Sequence, residues 1–592
     1  MAGPLREVAA DPQSSTSGRA PNYREFAMSQ SPSASLALQR LYHLEKTQPQ
    51  RIALTQPMGN GSVKDFSWAE VADQVRRMAA HLQSQGWEPG SKVAILSKNC
   101  AWWMMSDLAI WTAGHVSVPL YPTLAPATVG QILRHSAAKA CFIGKLDGWE
   151  GMKPGVPADL PCISYPLSPA DARQAYEGWD AVCTRNKPIQ GSPVRGADEL
   201  ATLIYTSGTT GMPKGVMHSF GNFAWALETG LKRIPMSIDD RMLSYLPLAH
   251  VVERVLVEHG WLHTGMRIYF AESLDTFAAD LQRARPTLFF SVPRLWVKFQ
   301  QGVHHKLPPA KLKLLLSLPL IGSLVRRKVL KALGLDQCHM AAGGAAPMPV
   351  ALLNWYRRLG LPINEGYGMT ENLAVSHLTL PGTDQTGTVG PPYDGVQARI
   401  DPVSGEIQMR SQALMLGYYK EPSMTRDSFT DDGWLRTGDK GQIDAQGLLR
   451  ITGRVKDLFK TSKGKYVAPA PIEDKLGMHD SVEACVVAGA NLGQPLGIVM
   501  LNPEAMAAKA NPAARARLEA SLAEHLQSVN AQLDPHEHLA CLVVASAAWC
   551  GQRHDHPHLQ GQAQPHRGSL CRAVRTLGNL GCPGDLARRL MP

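Results

Sequence analysis

Ten cysteines are scattered over 592 residues without a single Cys-x-x-Cys pair, so neither a zinc site nor a disulfide framework is expected. The opening residues lack the basic-then-apolar pattern of a secretory signal, which makes the cytoplasm the default compartment. Long apolar runs are missing too. The longest, residues 314–325, contains Pro319 and is too short to span a bilayer. The net charge of +10 is spread without a Lys/Arg block, so no nucleic-acid partner is implied. It suits anionic small molecules and, more weakly, a membrane surface. Arg326, Arg327, Lys328 and Lys331 follow the apolar run. A core helix with a solvated end is the preferred reading there, and a membrane-surface helix the alternative.

At this length two or more domains are expected. Residues 1–34, rich in Pro, Ser, Gly and Ala, read as a disordered leader in which Met28 could be the natural start. From Ser35 helical and strand patterns alternate: a helix over residues 70–83, a strand over 92–96, a helix over 102–114 and a strand over 116–120. Such alternation predicts an α/β fold with mainly parallel strands. Residues 159–199 lack a period and read as a surface connection.

The organising stretch is Leu-Ile-Tyr-Thr-Ser-Gly-Thr-Thr-Gly-Met-Pro-Lys-Gly, beginning at Leu203. An apolar strand (residues 200–205) runs into hydroxyls and glycines closed by Lys214. Gly208, Gly211 and Gly215 let backbone N–H groups approach an anion. Thr206, Ser207, Thr209 and Thr210 add hydroxyl donors, and Lys214 a positive charge. This is a polyphosphate cradle, though not a Walker A loop: the Gly-to-Lys spacing differs and no Ser/Thr follows the lysine. A Ser/Thr/Gly-rich surface loop is the plainer alternative.

The loop resembles the signature of the adenylate-forming (AMP-binding) superfamily, which includes acyl-CoA synthetases, firefly luciferase and peptide-synthetase adenylation domains. Further segments match in family order across about residues 35–548. Tyr-Leu-Pro-Leu-Ala-His ends at His250, which is either a packed core histidine or, by resemblance, a residue lining the carboxylate and thiol approach. It ends a strand, and a helix is expected over residues 251–259. Residues 340–348, containing Gly344 and Ala345, form a small-residue bend against which a flat ring can lie. The run Asn364, Glu365, Gly366, Tyr367, Gly368, Met369, Thr370, Glu371 would wall the adenine, with Tyr367 stacking on the base. Thr370 would lie by the phosphates and Glu371 would hold Mg²⁺, as a hard oxygen ligand can. The resemblance makes Asp439 the acceptor for the ribose hydroxyls and places Arg454 on ribose or phosphate. Lys456 becomes the hinge between domains, and Gly464 enters the site in the thioester-forming pose. Asp-Gly-Trp-Leu-Arg-Thr-Gly-Asp together with Lys-Gly-Lys-Tyr-Val-Ala-Pro is similar to the long-chain fatty-acyl-CoA synthetase branch.

The resemblance implies a large N-terminal domain (residues 35–453) of layered α/β subdomains, with a short β-rich portion near residues 387–419. A small mobile α+β domain (residues 454–548) would follow. A fatty acid would be activated with ATP and Mg²⁺ to acyl-AMP and passed to coenzyme A. Thr206, Lys214, His250, Glu371 and Arg454 would serve the chemistry. Another carboxylate-adenylating ligase, or a binding remnant without turnover, are the alternatives. Peripheral contact with the inner membrane surface is compatible with this reading. No spacing signature sets acyl chain length or oligomeric state.

The pattern breaks near the end. Fatty-acyl members close with Thr-Pro-Thr-x-Lys-x-Lys-Arg, whose first lysine enters the site during adenylation. Here residues 542–544 read as the expected strand and Trp549 fits the approach, but no lysine occurs from Cys550 to Pro592. Codons for His-Pro-His-Leu-Gln-Gly-Gln-Ala (His556 to Ala563) read one base later permit Thr-Pro-Thr-Phe-Lys-Val-Lys-Arg, with Gln560 where the lysine belongs. A frameshift between about Ala545 and Asp555 is therefore expected, leaving residues 549–592 foreign to the fold and adenylation impaired. The rival reading is a His-rich metal-binding tail (His554, His556, His558, His566).

Overall fold

The computed structural model describes residues 36–206, 212–455 and 457–545. The leader, the loop Ser207–Gly211, Lys456 and the tail from residue 546 lie outside the described residues.

The predicted α/β alternation is present. Ser67 caps the helix Trp68–Ser84 in a reciprocal box with Glu70, which satisfies N–H groups the first turn leaves open. The strand Lys92–Leu96, the helix Ala101–Thr112 and the strand Val116–Leu120 follow. Ala101–Thr112 is buried at every residue, because it lies between sheets and has no face left for water. An eight-stranded sheet runs Gly417–Tyr418, Lys214–Ser219, Leu200–Thr206, Val116–Leu120, Lys92–Leu96, Ala140–Ile143, Cys162–Ser164 and Glu177–Gly178. Its neighbours from Leu200–Thr206 onward pair in parallel, whereas Leu200–Thr206 and Lys214–Ser219 form an antiparallel hairpin. Two four-stranded sheets contain Ile52–Gly59 and Ile363–Tyr367, respectively. An antiparallel sheet of Gln397–Ile400, Glu406–Arg410, Leu435–Ile443 and Leu449–Arg454 precedes the smaller C-terminal domain. That domain packs the helices Pro469–Leu476 and Pro512–Asn530 with the sheet Val482–Ala488, Leu496–Leu501, Leu542–Val544. The last strand matches the sequence expectation. The smaller domain meets the large one at Arg294, whose guanidinium contacts the Glu483 carboxylate, and at Gln301 Nε2, which donates to Asp480 Oδ1 at 2.9 Å.

Four expectations need correction. Residues 159–199 are not a bare connection: they hold the edge strands Cys162–Ser164 and Glu177–Gly178 and the helices Ala170–Ala175 and Trp179–Arg185, with Trp179 fully buried. Elements this short complete no sequence period. The helix expected over residues 251–259 changes to a π-helix at Arg254–His259. The small-residue bend begins only at Gly344, because Met340–Gly343 is a strand between Leu288–Ser291 and Ile363–Tyr367. The apolar run over residues 314–325 is not a core helix. It is divided between the helices Pro309–Ser317 and Ile321–Ala332 and exposes Leu314, Leu318, Leu320, Ile321 and Leu324.

Candidate active site

The hairpin places Thr206 opposite Lys214, at the mouth of the hydroxyl-glycine loop. Beneath it, a Cβ on Gly215 would come within 3.1 Å of the Tyr205 ring, so a side chain at residue 215 would press on Tyr205 and push the ring aside by a few tenths of an ångström. Tyr205 is tied in turn to His135 Nδ1 through its hydroxyl, at 2.7 Å.

The strand Gly417–Tyr418 pairs with the outer side of the hairpin, Tyr418 opposite Val216. Lys214 Nζ lies 4.9 Å from the centroid of the Tyr418 ring, an attractive cation–π placement. The Tyr418 hydroxyl donates to Glu371 Oε1 at 2.7 Å, and Met415 N donates to the Glu371 carbonyl at 2.8 Å. His218 Nε2–H donates to the Thr370 carbonyl at 2.7 Å. Burial lowers this imidazole to about 4, so it remains neutral at physiological pH. Gly368 is sterically required: a Cβ there would sit 2.4 Å from the Ala374 carbonyl carbon.

A second cluster adjoins the first through residues 367–371. The Tyr367 hydroxyl donates to Asp439 Oδ2 at 2.7 Å, and Arg454 Nε lies 3.2 Å from Asp439 Oδ1. Asp439 and Arg454 face each other in one antiparallel register. Burial raises the Asp439 carboxyl, while Tyr367 and Arg454 oppose that rise. The Tyr367 ring packs with Ile407, Met409 and Leu449. Asn364 Nδ2 donates to the Ala341 carbonyl at 3.1 Å, and Met348 N donates to Glu365 Oε1 at 3.2 Å. Both contacts bind this strand to the small-residue segment. Burial pushes Glu365 up to about 7. A Cβ on Gly344 would meet the Gly366 carbonyl at 2.8 Å, and Ala345 adopts φ +68°.

His250 Nδ1 accepts from Val252 N at 3.2 Å, capping the helix that follows. Its loop is held from below. Asn99 Nδ2 donates to Ser244 Oγ at 2.8 Å and to the Leu246 carbonyl at 2.6 Å. Glu253 Oε1 accepts from Ser244 Oγ at 2.8 Å and Tyr245 N at 3.0 Å. Gly464 (φ +78°) turns the hairpin between Phe459–Lys460 and Tyr466–Val467 in the smaller domain. Ser207, Gly208, Thr209, Thr210, Gly211 and the hinge candidate Lys456 lie outside the described residues.

Sequence reading missed Tyr418, His218, Asn99 and Glu253. Tyr418 stands two hundred residues from Lys214 without a recognisable motif, and only strand pairing reveals the contact. Among the described residues no group of three or more His, Cys, Asp or Glu side chains could hold a metal ion. The single buried carboxylate of Glu371 suits a cation that takes most of its oxygens from phosphate and water.

Two sequence profiles match: "AMP-binding enzyme" over residues 42–419 and "AMP-binding enzyme C-terminal domain" over residues 456–549. The long-chain-fatty-acid–CoA ligase FadD15 of Mycobacterium tuberculosis is 30% identical over 497 residues, 78% of this chain and 82% of the relative. Long chain acyl-CoA synthetase 5 of Arabidopsis thaliana is 29% identical over 517 residues, 78% and 77% of the two chains. Among solved structures, the A domain of carboxylic acid reductase from Segniliparus rugosus, in complex with AMP and a carboxylic acid, superposes with TM-score 0.72 at 22% identity, covering 91% of this chain and 94% of that one. The anthranilate CoA ligase AuaEII with anthranoyl-AMP gives TM-score 0.69 at 20% identity, covering 86% and 93%. With a profile spanning most of its length and relatives of this kind, the chain belongs to the adenylate-forming AMP-binding enzymes, on their long-chain acyl-CoA synthetase branch.

Proposed function

We infer that the protein is a fatty-acid–CoA ligase acting on long-chain acids in two steps. The fatty carboxylate attacks the α-phosphate of ATP, giving acyl-AMP and pyrophosphate. The CoA thiolate then attacks the acyl-adenylate carbonyl and releases AMP. The observation that carries this reading is the coupling of Lys214, Tyr418 and Glu371 next to the Tyr367–Asp439–Arg454 cluster. A cation at the end of a hydroxyl-glycine hairpin offsets charge on the departing pyrophosphate. Asp439 accepts hydroxyl protons, as a ribose would require. Glu371 would hold a magnesium ion, whose chemistry there is to neutralise phosphate charge. His250 would line the acyl and thiol approach, and Gly464 would enter with the smaller domain as it turns about Lys456.

The reading extends to the chain's end. Residues after about 545–555 are taken as a frame-shifted product, supported by the C-terminal profile ending at residue 549 and by the absence of lysine from Cys550 onward. Adenylation is then slow, while supplied acyl-adenylate is still converted to acyl-CoA. The enzyme is placed in the cytoplasm, in peripheral contact with a membrane from which long acyl chains are drawn.

Pyrophosphate release across a panel of acids tests the function. Release with long-chain acids alone supports it. Release only with aryl or amino acids makes the chain another adenylating ligase, and none from the frame-restored protein makes it a binding remnant.

A further inference from the structure

Between Asp280 and Asp336 the chain carries no acidic residue but eleven Lys and Arg. Three of these, Arg283, Arg285 and Arg294, are paired with carboxylates. Those nearest the turn between the helices Pro309–Ser317 and Ile321–Ala332 (Lys311, Lys313, Arg327, Lys328, Lys331) form no salt bridge among the described residues. The hairpin is nevertheless anchored: Leu312 is buried, and Leu316, Val329, Leu330 and Leu333 pack on the core around Trp296 and Tyr356. The opposite side holds leucines in water, with Leu320 84%, Leu324 67% and Leu314 62% exposed.

The turn is also strained. Leu320 adopts φ +64° and ψ −54°, closed by a hydrogen bond from Ile321 N to the Pro319 carbonyl at 2.7 Å. Glycine would enter this conformation at little cost. A leucine held there, with its side chain in solvent, points to a use for the exposed side chain.

Spacing sets cation against leucine. Leu324, Lys328 and Lys331 follow at i, i+4 and i+7 and are all exposed. At 1.5 Å per residue the two lysines stand about 6 and 10 Å farther from the tip than Leu324. A tip entering the headgroup and acyl boundary by about 5–10 Å would therefore carry its cations to the phosphates. Among the described residues no helix is long and apolar enough to cross a membrane.

We propose that this hairpin docks the enzyme on an anionic lipid bilayer, with its leucine tip in the headgroup layer and its flanking lysines and arginine on lipid phosphate. The proposal rests on the peripheral-membrane reading above and locates the contact. It is tested by co-sedimentation of the full chain with phosphatidylcholine vesicles, with and without phosphatidylglycerol, at low and raised salt. Two variants are compared: Leu320→Ser/Leu324→Ser and Lys328→Glu/Lys331→Glu. All four side chains are exposed, so the fold is expected to tolerate the changes, and conversion of a supplied short-chain acyl-adenylate reports folding and site integrity.

The wild type should partition onto phosphatidylglycerol vesicles and be released by salt. Each variant should bind about tenfold or more weakly, with conversion of the soluble adenylate unchanged. Binding by both variants equal to wild type overturns the hairpin as the contact and leaves the peripheral reading standing. Binding of the wild type without preference for anionic vesicles overturns the anionic docking proposal alone, and no binding to either vesicle overturns both, while conversion continues to report the ligase. Concentration-dependent self-association of the wild type, abolished by the serine variant, assigns the leucines to a second copy of the chain and overturns the lipid assignment.

Discussion

Restoring the reading frame across codons 545–555, so that Thr-Pro-Thr-Phe-Lys-Val-Lys-Arg replaces residues 556–563, should separate the two half-reactions. The structure supplies the terms. Arg454 is already committed to Asp439 at 3.2 Å, whereas Lys214 faces an aromatic ring. With Lys214 assigned to the departing pyrophosphate and Arg454 held by Asp439, neither is left for the negative charge that moves from carboxylate to α-phosphate. One preorganised charge at such a point is worth on the order of 10²–10³ in rate, about 3–4 kcal/mol. Among the described residues, the core of the smaller domain (Leu476, Val487 and Val529) and its last described strand, Leu542–Val544, all precede residue 545. Thioester formation should accordingly change by less than about threefold, because no charge essential to it is added. Single-turnover pyrophosphate release measures the first step, and conversion of supplied acyl-adenylate with CoA measures the second. Equal gains in both would refute the reasoning, since the tail would then be acting on folding. An uninterrupted frame in independent reads of codons 540–565 would remove its premise.

Asp439→Asn weakens hydrogen bonds made to a charged carboxylate, about 1.5–3 kcal/mol, so AMP affinity by calorimetry should fall tenfold or more. Arg254 is fully buried, 2.5 Å from Asp107 and 3.0 Å from Glu258 through its nitrogens. Arg254→Met should cost about 3–5 kcal/mol by denaturant unfolding, and Asp107→Asn/Arg254→Met/Glu258→Gln should recover more than half of it. Burial raises Glu253 to about 8 from its ordinary 4.5. Its contribution to stability is therefore complete below the unfolded value and is lost as pH rises through about 8. Melting temperature between about pH 5 and 9 should fall more for wild type than for Glu253→Gln.

Much of the fold was legible because buried parallel strands are short, mainly apolar runs: the sequence bounds of residues 92–96 and 116–120 agree with the structure to the residue. The helix cap at Ser67 lies three residues before the first helical residue read from the pattern, since Trp68 and Ala69 add no polar face to it. The π-helix was illegible for another reason. Its buried Arg254, Glu258 and His259 are polar residues on an inward face, and amphipathic reading sends such residues outward. The basic hairpin failed the same way in reverse: exposed leucines imitate a core face when the sequence alone is scanned. Contiguous motifs, such as residues 364–371, announced themselves. The side chains that hold them came from elsewhere in the chain, as Tyr418 and His218 do.

Tyr418 joins these levels, and its phenol gives the sharpest test of Glu371. The strand bearing it has two residues, yet pairing with Lys214–Ser219 fixes the ring over the Lys214 ammonium and the hydroxyl on the Glu371 carboxylate. Tyr418→Phe retains the ring, and with it the placement of Lys214, while removing one donor to a buried charged acceptor. Such a bond is worth about 1.5–3 kcal/mol. If Glu371 holds magnesium, the carboxylate loses its orienting contact and more metal is required to occupy the site, about tenfold or more at half-maximal rate. The rate at saturating magnesium should approach wild type. Tyr418→Ala removes the ring as well and should lower the rate even at saturating metal, because Lys214 is released too. An unchanged magnesium dependence in Tyr418→Phe would mean that this carboxylate holds the segment in place and leaves the metal to the phosphates alone.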